Sequence, residues 1–501
     1  MLLIASVARA ATVHVPAEQP TLQAGIDAAD HGDTVLVADG TYKGPGNRGI
    51  DVHGKAITVA SENGPEHCVI NCESQDRAFL FDDAETGACR VQGFTIRNGY
   101  RSGDDGSGGA IQCYEASPTI LECVFEFNEA TNGAAIWCTR GSTACVEDCI
   151  FRNNEGTDGG GICVSAHSNP WIHDCLFSAN ECTNGGGIFC GEYSAPSISC
   201  CVFDDCHATN GGAIACDNGS DPLVVNCLMT NCGATNGGGV YCSDSSPSIV
   251  ACTIADNLGT IAPGIFSLSS NPAVTCSIIW NGGWEEISGN CQVTHSDILG
   301  GWAGTGNFDE DPLFAIGPNG GYYLSHLAAG QTAESPCIDA GAMAAAAVCA
   351  TLPTGTVCLD SLSTSTAGST DQAIVDLGYH YPAVIPAAVT LWMPATYFEP
   401  GNDCSCLATV SNFTGAAITG HPLFVILDVF GVYYFAPGFS GFEHYSMNFP
   451  AGETSVTVLG TFTWPEGAGS ANGLTWYGAL TNPEVTALYG MMGTWTFGFG
   501  E

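Results

Sequence analysis

Between Gly108 and Cys276 the chain repeats itself, and that constrains the fold more than any other feature. Gly108-Gly109-Ala110-Ile111 returns as Gly133-Ala134-Ala135-Ile136, Gly159-Gly160-Gly161-Ile162, Gly185-Gly186-Gly187-Ile188, Gly211-Gly212-Ala213-Ile214 and Gly237-Gly238-Gly239-Val240. The aliphatic position falls at 111, 136, 162, 188, 214 and 240, one step of 25 followed by four of 26. A second tetrapeptide keeps the same beat: Phe125-x-x-Asn128, Phe151-x-x-Asn154 and Phe177-x-x-Asn180, weakening to Phe203-x-x-Cys206, Met229-x-x-Cys232 and Ile254-x-x-Asn257. Self-similarity at such a period means stacked units, each burying a face only against its neighbours.

A 26-residue unit has room for two helices, but the residues in it argue otherwise. Glycine is a poor helix former, and Ile198, Cys200 and Val202 alternate with their neighbours at the period of a strand. Two or three short strands per coil, joined by Gly and Asn turns, predict a parallel β-solenoid. Coils then stack about 4.8 Å apart and equivalent residues form columns. One column is Ile120, Val146, Ile172, Ile198, Val224, Ile249 and Val274. Prolines 118, 170, 196, 222, 247 and 272 sit at a strand entrance, where no ladder N–H is needed. Asn128, Asn154 and Asn180 predict a structural amide ladder inside a turn.

With both motifs in hand, the chain resembles secreted right-handed parallel β-helix proteins of the pectin-lyase-like group. Its paired Gly-Gly-Ala-Ile and Phe-x-x-Asn tetrapeptides resemble the repeats of polymorphic outer-membrane-protein type surface proteins. The resemblance spans residues 12–380. It implies an all-β fold and a secreted or cell-surface bacterial protein. It leaves activity open, because this fold hosts lyases, hydrolases, adhesins and scaffolds alike.

Charge narrows the partners. Ten Lys and Arg stand against 51 Asp and Glu, and no Lys or Arg follows Arg152. Nucleic acid and anionic membranes, which need clustered basic residues, are disfavoured. Divalent cations are attracted over long range. No run of 18 apolar residues predicts a membrane span. Residues 1–10 read as the remnant of a secretory signal peptide, with Ala8-x-Ala10 as the cleavage pattern.

The expected organisation is a right-handed β-helix over 11–383, regular at 108–276 and closed by irregular coils to 383. Thr21 is placed to cap a short helix whose Leu22, Ile26 and Ala29 share a face, giving the N-terminal helical cap that an open solenoid end requires. Ala342 to Thr370 reads as an excursion. From 388 to 501 seven short alternating segments, at 389–393, 407–410, 423–429, 432–435, 455–459, 474–479 and 494–499, predict a β-sandwich of immunoglobulin type. Its tryptophans, including Trp392, Trp464, Trp476 and Trp495, read mainly as core.

Candidate chemistry is sparse. Cys113, Cys138, Cys190, Cys216 and Cys242 form one column, with Cys163 one place early; Cys123, Cys149, Cys175, Cys201, Cys227, Cys252 and Cys276 form another. Spread one per coil, they read as small buried hydrophobes rather than a zinc cluster. Cys206 and Cys232, replacing the ladder asparagine on successive coils, are the disulfide candidates. Asp104-Asp105 and Asp204-Asp205 read as solvated turn residues, and no column of outward Asp is expected across three coils. Asp309, Glu310 and Asp311 are the candidate calcium ligands; no other cofactor is implied. The 12 histidines are scattered, and no catalytic residue is singled out. Thr494, Trp495, Thr496 and Phe497 form a candidate assembly strand that could add to a neighbour's sheet.

The expected function is a non-catalytic structural or adhesive extracellular protein, a subunit of a homo-oligomer, filament or surface layer, with cell-surface glycans as further partners. The alternative is a polysaccharide lyase or hydrolase, or a glycan-binding protein, on the same fold.

Overall fold

The computed structural model describes residues 10–382 except 104, 105, 284, 330, 354 and 367. It also describes residues 387–395, 397–412, 418–430, 432–439, 442–450, 452–463, 470–481 and 493–499. The leader reading therefore lies outside the described residues but for Ala10, and Asp104, Asp105 and Trp464 lie outside them entirely. The chain divides into two units, Met1–Pro382 and Ala383–Glu501.

The first unit is a parallel β-solenoid of about eleven turns. Each regular coil carries four strands, not two or three. In one coil they are Thr119–Leu121, Val124–Glu126, Glu129–Asn132 and Ile136–Thr139, here called faces 1 to 4. The faces form sheets of 12, 11, 7 and 10 strands. Face 3 hid from sequence because strands such as Glu181–Asn184 alternate exposed and half-exposed residues and carry no aliphatic position.

In-register pairing turns the sequence columns into stacks. Val91, Ile120, Val146, Ile172, Ile198, Val224, Ile249 and Val274 pair successively on face 1. Phe125, Phe151, Phe177 and Phe203 are fully buried and stack at 4.9, 4.7 and 4.8 Å. The second cysteine column runs to Cys252 and then to Ser277, whose hydroxyl accepts from Cys252 N–H. Cys276 belongs one place earlier, at the corner between faces 1 and 2. The step from Cys252 to Ser277 is 25 residues, so Cys276, 24 residues on, falls one place short of the column.

Every corner of the coil needs a left-handed residue. Asp148, Asn153, Gly159 and Ala166 supply them in turn, at φ of 53, 54, 72 and 52°. The corner between faces 3 and 4 takes glycine on the regular coils and Ala262, at φ of 51°, on a later one. A Cβ at Gly185 would lie 2.1 Å from Ile188 O, so the first glycine of each triplet answers to a steric constraint.

The open end is covered by a helix, Leu22–Ala28, capped by Thr21 Oγ1 accepting from Ala24 N–H at 3.2 Å. Leu22 and Ile26 are fully buried, and Gly25 lets the helix approach Val15 and Val35 so closely that a Cβ would fall 2.7 Å from Val15. Lys55 Nζ donates to the carbonyls of Ile26, Asp27 and Ala29, where a helix C-terminus favours a cation.

The other end differs from the irregular closing coils expected. Solenoid strands stop at Asp297–Ile298. The following segment folds back over outward positions of faces 1 and 2. There Val225, Ala251, Cys276 and Ile278 form a core with Leu324, Cys337, Val375 and Leu377. The cover explains a contrast along one column: Ile150 and Leu176 are half-buried, whereas Ile278 is fully buried. Asn226 clamps this arm, its Oδ1 accepting from His380 N–H at 2.6 Å and its Nδ2 donating to His380 O at 2.9 Å. The excursion includes the hairpin Cys349–Leu352/Gly355–Cys358, closed by the Cys349–Cys358 disulfide.

The second unit is a β-sandwich. Ala387–Trp392, Asp403–Asn412 and Gly452–Thr463 form one sheet. Tyr397–Phe398, Gly493–Phe499, Ala471–Leu480, Leu423–Val429 and Val432–Phe435 form the other in that order. Their shared core holds Val410, Leu423, Phe449, Trp476 and Phe497, with Trp495 packed against it. All seven expected segments are strands, and Tyr397–Phe398 adds an eighth.

Candidate functional site

Face 4 and its two corners carry hollows on successive coils. The outward column of face 4 reads Leu80, Gln112, Trp137, Cys163, Phe189, Ala215, Tyr241 and Phe266, each in register with the next. Small residues alternate with large ones: Cys163 and Ala215 are buried beneath their neighbours, while Trp137, Phe189 and Tyr241 are half-buried. The Phe189 ring lies across Gly191, where a Cβ would come within 2.8 Å of it. A side chain at 191 would lift the ring; glycine lets it lie against the backbone. Trp137 is held by its indole N–H, which donates to Ser165 Oγ at 3.0 Å.

Polar walls flank this floor. On the face 3 side the amides chain along the axis: Asn184 Nδ2 donates to Asp158 Oδ1, Asn210 to Asn184 and Asn236 to Asn210, at 2.7 to 2.8 Å. On the other side stand Glu115, Arg140, Glu192 and Asp217, with the Arg140 guanidinium 5.1 Å from the Tyr114 ring centroid. Three hollows mark the face, the last two side by side across Trp137. The first, of about 380 Å³, is lined by Asp76, Arg77, Asp82, Arg101 and Tyr114. The next two, of about 610 and 280 Å³, share Trp137 and Glu192. Burial raises the Asp82 carboxyl above its ordinary value, reinforced by the charges of Asp51 and Asp83; burial likewise raises Asp158.

A second cluster, with Asp on two coils and Glu on a third, stands at the corner between faces 1 and 2. Glu122, Asp148 and Asp174 stack there on successive coils, beside Glu147 and His173 of face 1. Burial and the neighbouring Asp148 raise the Glu147 carboxyl; burial, Asp174 and Glu122 raise Asp148. The signal was present in the sequence, since each acid directly precedes a cysteine of the inward column.

The other sequence candidates fall as follows. Asn154 Oδ1 accepts from the N–H and Nδ2 of Asn128, both at 3.0 Å. Asn180 Oδ1 accepts from the same groups of Asn154, at 3.0 and 2.9 Å. Cys206 and Cys232 are buried free thiols on neighbouring coils. In-register parallel stacking holds their Cβ atoms near the 4.8 Å coil spacing, wider than the roughly 3.5–4.5 Å a disulfide needs. Burial pushes the thiols of Cys72 and Cys89 up to about 12, so these cysteines behave as apolar filler.

Asp309, Glu310 and Asp311 are exposed, and Asp311 Oδ1 is engaged by Leu313 N–H at 2.9 Å. Among the described residues, ligating atoms converge instead at Asp51, His53 and Asp83 and at His173, Asp174 and Cys200. Asp204 accepts from Asn231 Nδ2, whereas Asp205 sits at the next corner against His207, so the pair does not act together. The candidate assembly strand pairs along one edge with Ala471–Leu480, and on its other edge Tyr397–Phe398 meets only Gly498 and Phe499. Phe497 is in the core, and among the described residues no strand pairs with Thr494, Trp495, Thr496 and Phe497 on that second edge.

The chain matches the right-handed β-helix region over residues 21–177 and 156–298, ending where the solenoid strands end. No curated protein matches it. Among solved structures it is similar to the A-module of mannuronan C-5 epimerase AlgE4 from Azotobacter vinelandii. Identity is 13% over 58% of this chain and 94% of that one, with a TM-score of 0.21. At that score the likeness carries no argument about activity.

Proposed function

This chain belongs to the right-handed β-helix family, and on that premise we propose that it is a non-catalytic, extracellular adhesive protein that binds an extended, uncharged glycan along face 4. The observation that carries the reading is the floor of face 4: rings on alternate coils, flat Phe189 among them, between rails of amide and carboxylate. Rings two coils apart are spaced about 9.6 Å at the coil repeat. Such spacing suits a linear polymer lying along the axis, stacking sugar faces on rings and giving hydroxyls to the walls. Asp76, Asp82, Glu115, Asp158, Glu192 and Asp217 outnumber Arg77, Arg101 and Arg140, which favours a neutral polyhydroxyl ligand over a polyanion.

Calorimetry with soluble linear glucans, mannans and xylans tests this. Trp137→Ala in a central stacking position should weaken binding by about 2 kcal/mol, roughly 30-fold, without changing the fold. If no neutral glycan binds, or Trp137→Ala binds unchanged, the groove reading fails. The raised carboxyls of Glu147 and Asp148 beside His173 favour a second reading, a polysaccharide lyase or hydrolase acting at the corner between faces 1 and 2. Release of reducing ends or unsaturated sugars, lost in Glu147→Gln, would establish it.

A further inference from the structure

The corner between faces 1 and 2 changes character along its length. Its left-handed residues run Glu122, Asp148, Asp174, Cys200, Asn226, Ala251 and Cys276, at φ of 48 to 54°. The arm covers it from Asn226 onward: His380 clamps Asn226, and Ala342 N–H donates to Cys276 Sγ at 3.3 Å. Just beyond that cover, three ligating groups of different chemistry meet. One atom each of His173, Asp174 and Cys200 lies within 4.8 Å of the other two.

Their surroundings fix them. His173 is 2% exposed; its Nδ1 is held 2.8 Å from Ser199 Oγ, and its Nε2 lies 3.0 Å from Asp174 Oδ2. Cys200 is 9% exposed, and its Sγ accepts from Asn226 Nδ2 at 3.5 Å, so the residue that clamps the arm also orients the thiol. Asp174 is exposed and opens the cluster to solvent. The inward cysteines of neighbouring coils fill the core, whereas Cys200 stands outside that column, at the corner.

We propose that His173 Nε2, an Asp174 carboxylate oxygen and Cys200 Sγ bind one divalent ion of the zinc class, leaving a fourth coordination position open. An N, O, S donor set suits zinc and disfavours calcium, which takes oxygen ligands. The hydroxyl of Ser199 on Nδ1 fixes the ring with Nε2 toward the ion, the arrangement that metal-binding imidazoles require. Glu147 and Asp148 add negative charge around the site, and Tyr379 of the arm stands near Cys200. Burial lifts the Cys200 thiol to about 12, so uptake near neutral pH displaces its proton as the sulfur–metal bond forms.

The test uses the whole chain, stripped of metal and kept reduced by a phosphine. Titration with Zn²⁺ should show one equivalent bound, with proton release that follows buffer ionisation enthalpy. Co²⁺ should give a sulfur-to-cobalt charge-transfer band. Cys200→Ser should abolish the band, and the exposed Asp174→Asn should weaken Zn²⁺ binding at least about tenfold with the circular dichroism unchanged. Cys276→Ser, at the same corner but under the arm, should bind as the parent does. A parent chain that takes up no equivalent of Zn²⁺ overturns the proposal, as does a Cys200→Ser chain that keeps the band.

Discussion

Replacing Asn154 by alanine tests whether the buried amide ladder holds neighbouring coils together. Asn154 is 1% exposed, and its side chain serves two backbone groups of the preceding coil: Oδ1 accepts from Asn128 N–H, and Nδ2 donates to Phe125 O at 3.0 Å. Alanine leaves the Asn128 N–H unpaired in a site closed to water and takes one partner each from Phe125 O, Asn128 Nδ2 and Asn180 Oδ1. At about 2 kcal/mol for the stranded N–H and somewhat under 1 kcal/mol for each of the other bonds lost, the expected loss is about 4 kcal/mol. A repeat array need not unfold in one step, so a global unfolding energy is the wrong readout. Amide exchange at Ile150 is a better one, because its N–H donates to Cys123 O at 2.9 Å and the substitution leaves that bond intact. Its protection should fall by about a thousandfold if the two coils open together. The chain supplies its own milder variant, since cysteine occupies this ladder at 206 and 232. Cys206 Sγ still accepts from Asn180 Nδ2 of the preceding coil, at 3.9 Å. Asn154→Cys should therefore lose about half as much. A change below about fivefold at Ile150 in Asn154→Ala, worth about 1 kcal/mol, would refute the reasoning.

Other expectations follow from the same structure. Phe177→Ala, which removes a fully buried ring stacked on both sides, should cost about 3–5 kcal/mol locally, read by exchange in the coils on either side. Burial raises the Asp297 carboxyl to about 7 beside Cys337, so its neutral form stabilises the fold. That contribution is complete below the ordinary carboxyl range and is lost as pH rises through about 7; Asp297→Asn should flatten the melting temperature against pH between about 4 and 7. Millimolar calcium should leave the melting temperature unchanged, because Asp311 is already engaged by Leu313 N–H; a shift removed by Asp309→Asn would instead place an ion at that turn. Native alkylation should spare Cys206 and Cys232, and denaturing alkylation should then label both while Cys349 and Cys358 stay linked.

The extent to which sequence revealed this molecule follows from which side of the wall a residue faces. Inward positions repeat by chemistry as well as by number, because a parallel stack puts like on like. Ile120, Phe125 and Asn128 could therefore be placed in columns before any coordinates. Outward positions obey no such rule. The face 3 strands carry Glu129, Glu155 and His207 where apolar alternation would have marked them, so a quarter of each coil went unread. The acidic corner was countable, one residue before each inward cysteine, but recognising it needs the left-handed turn that points Asp148 and Asp174 to solvent. The arm was least legible of all. Its contacts with the solenoid join residues about 150 apart, as in the Asn226–His380 pair, and no local pattern encodes such a distance. The groove sits between these limits. Its floor is a column of outward residues, legible in number, yet Trp137, Cys163, Phe189, Ala215 and Tyr241 share no chemistry. Their alternation of large and small matters only once in-register stacking sets them side by side, where each small residue makes room for its neighbours' rings.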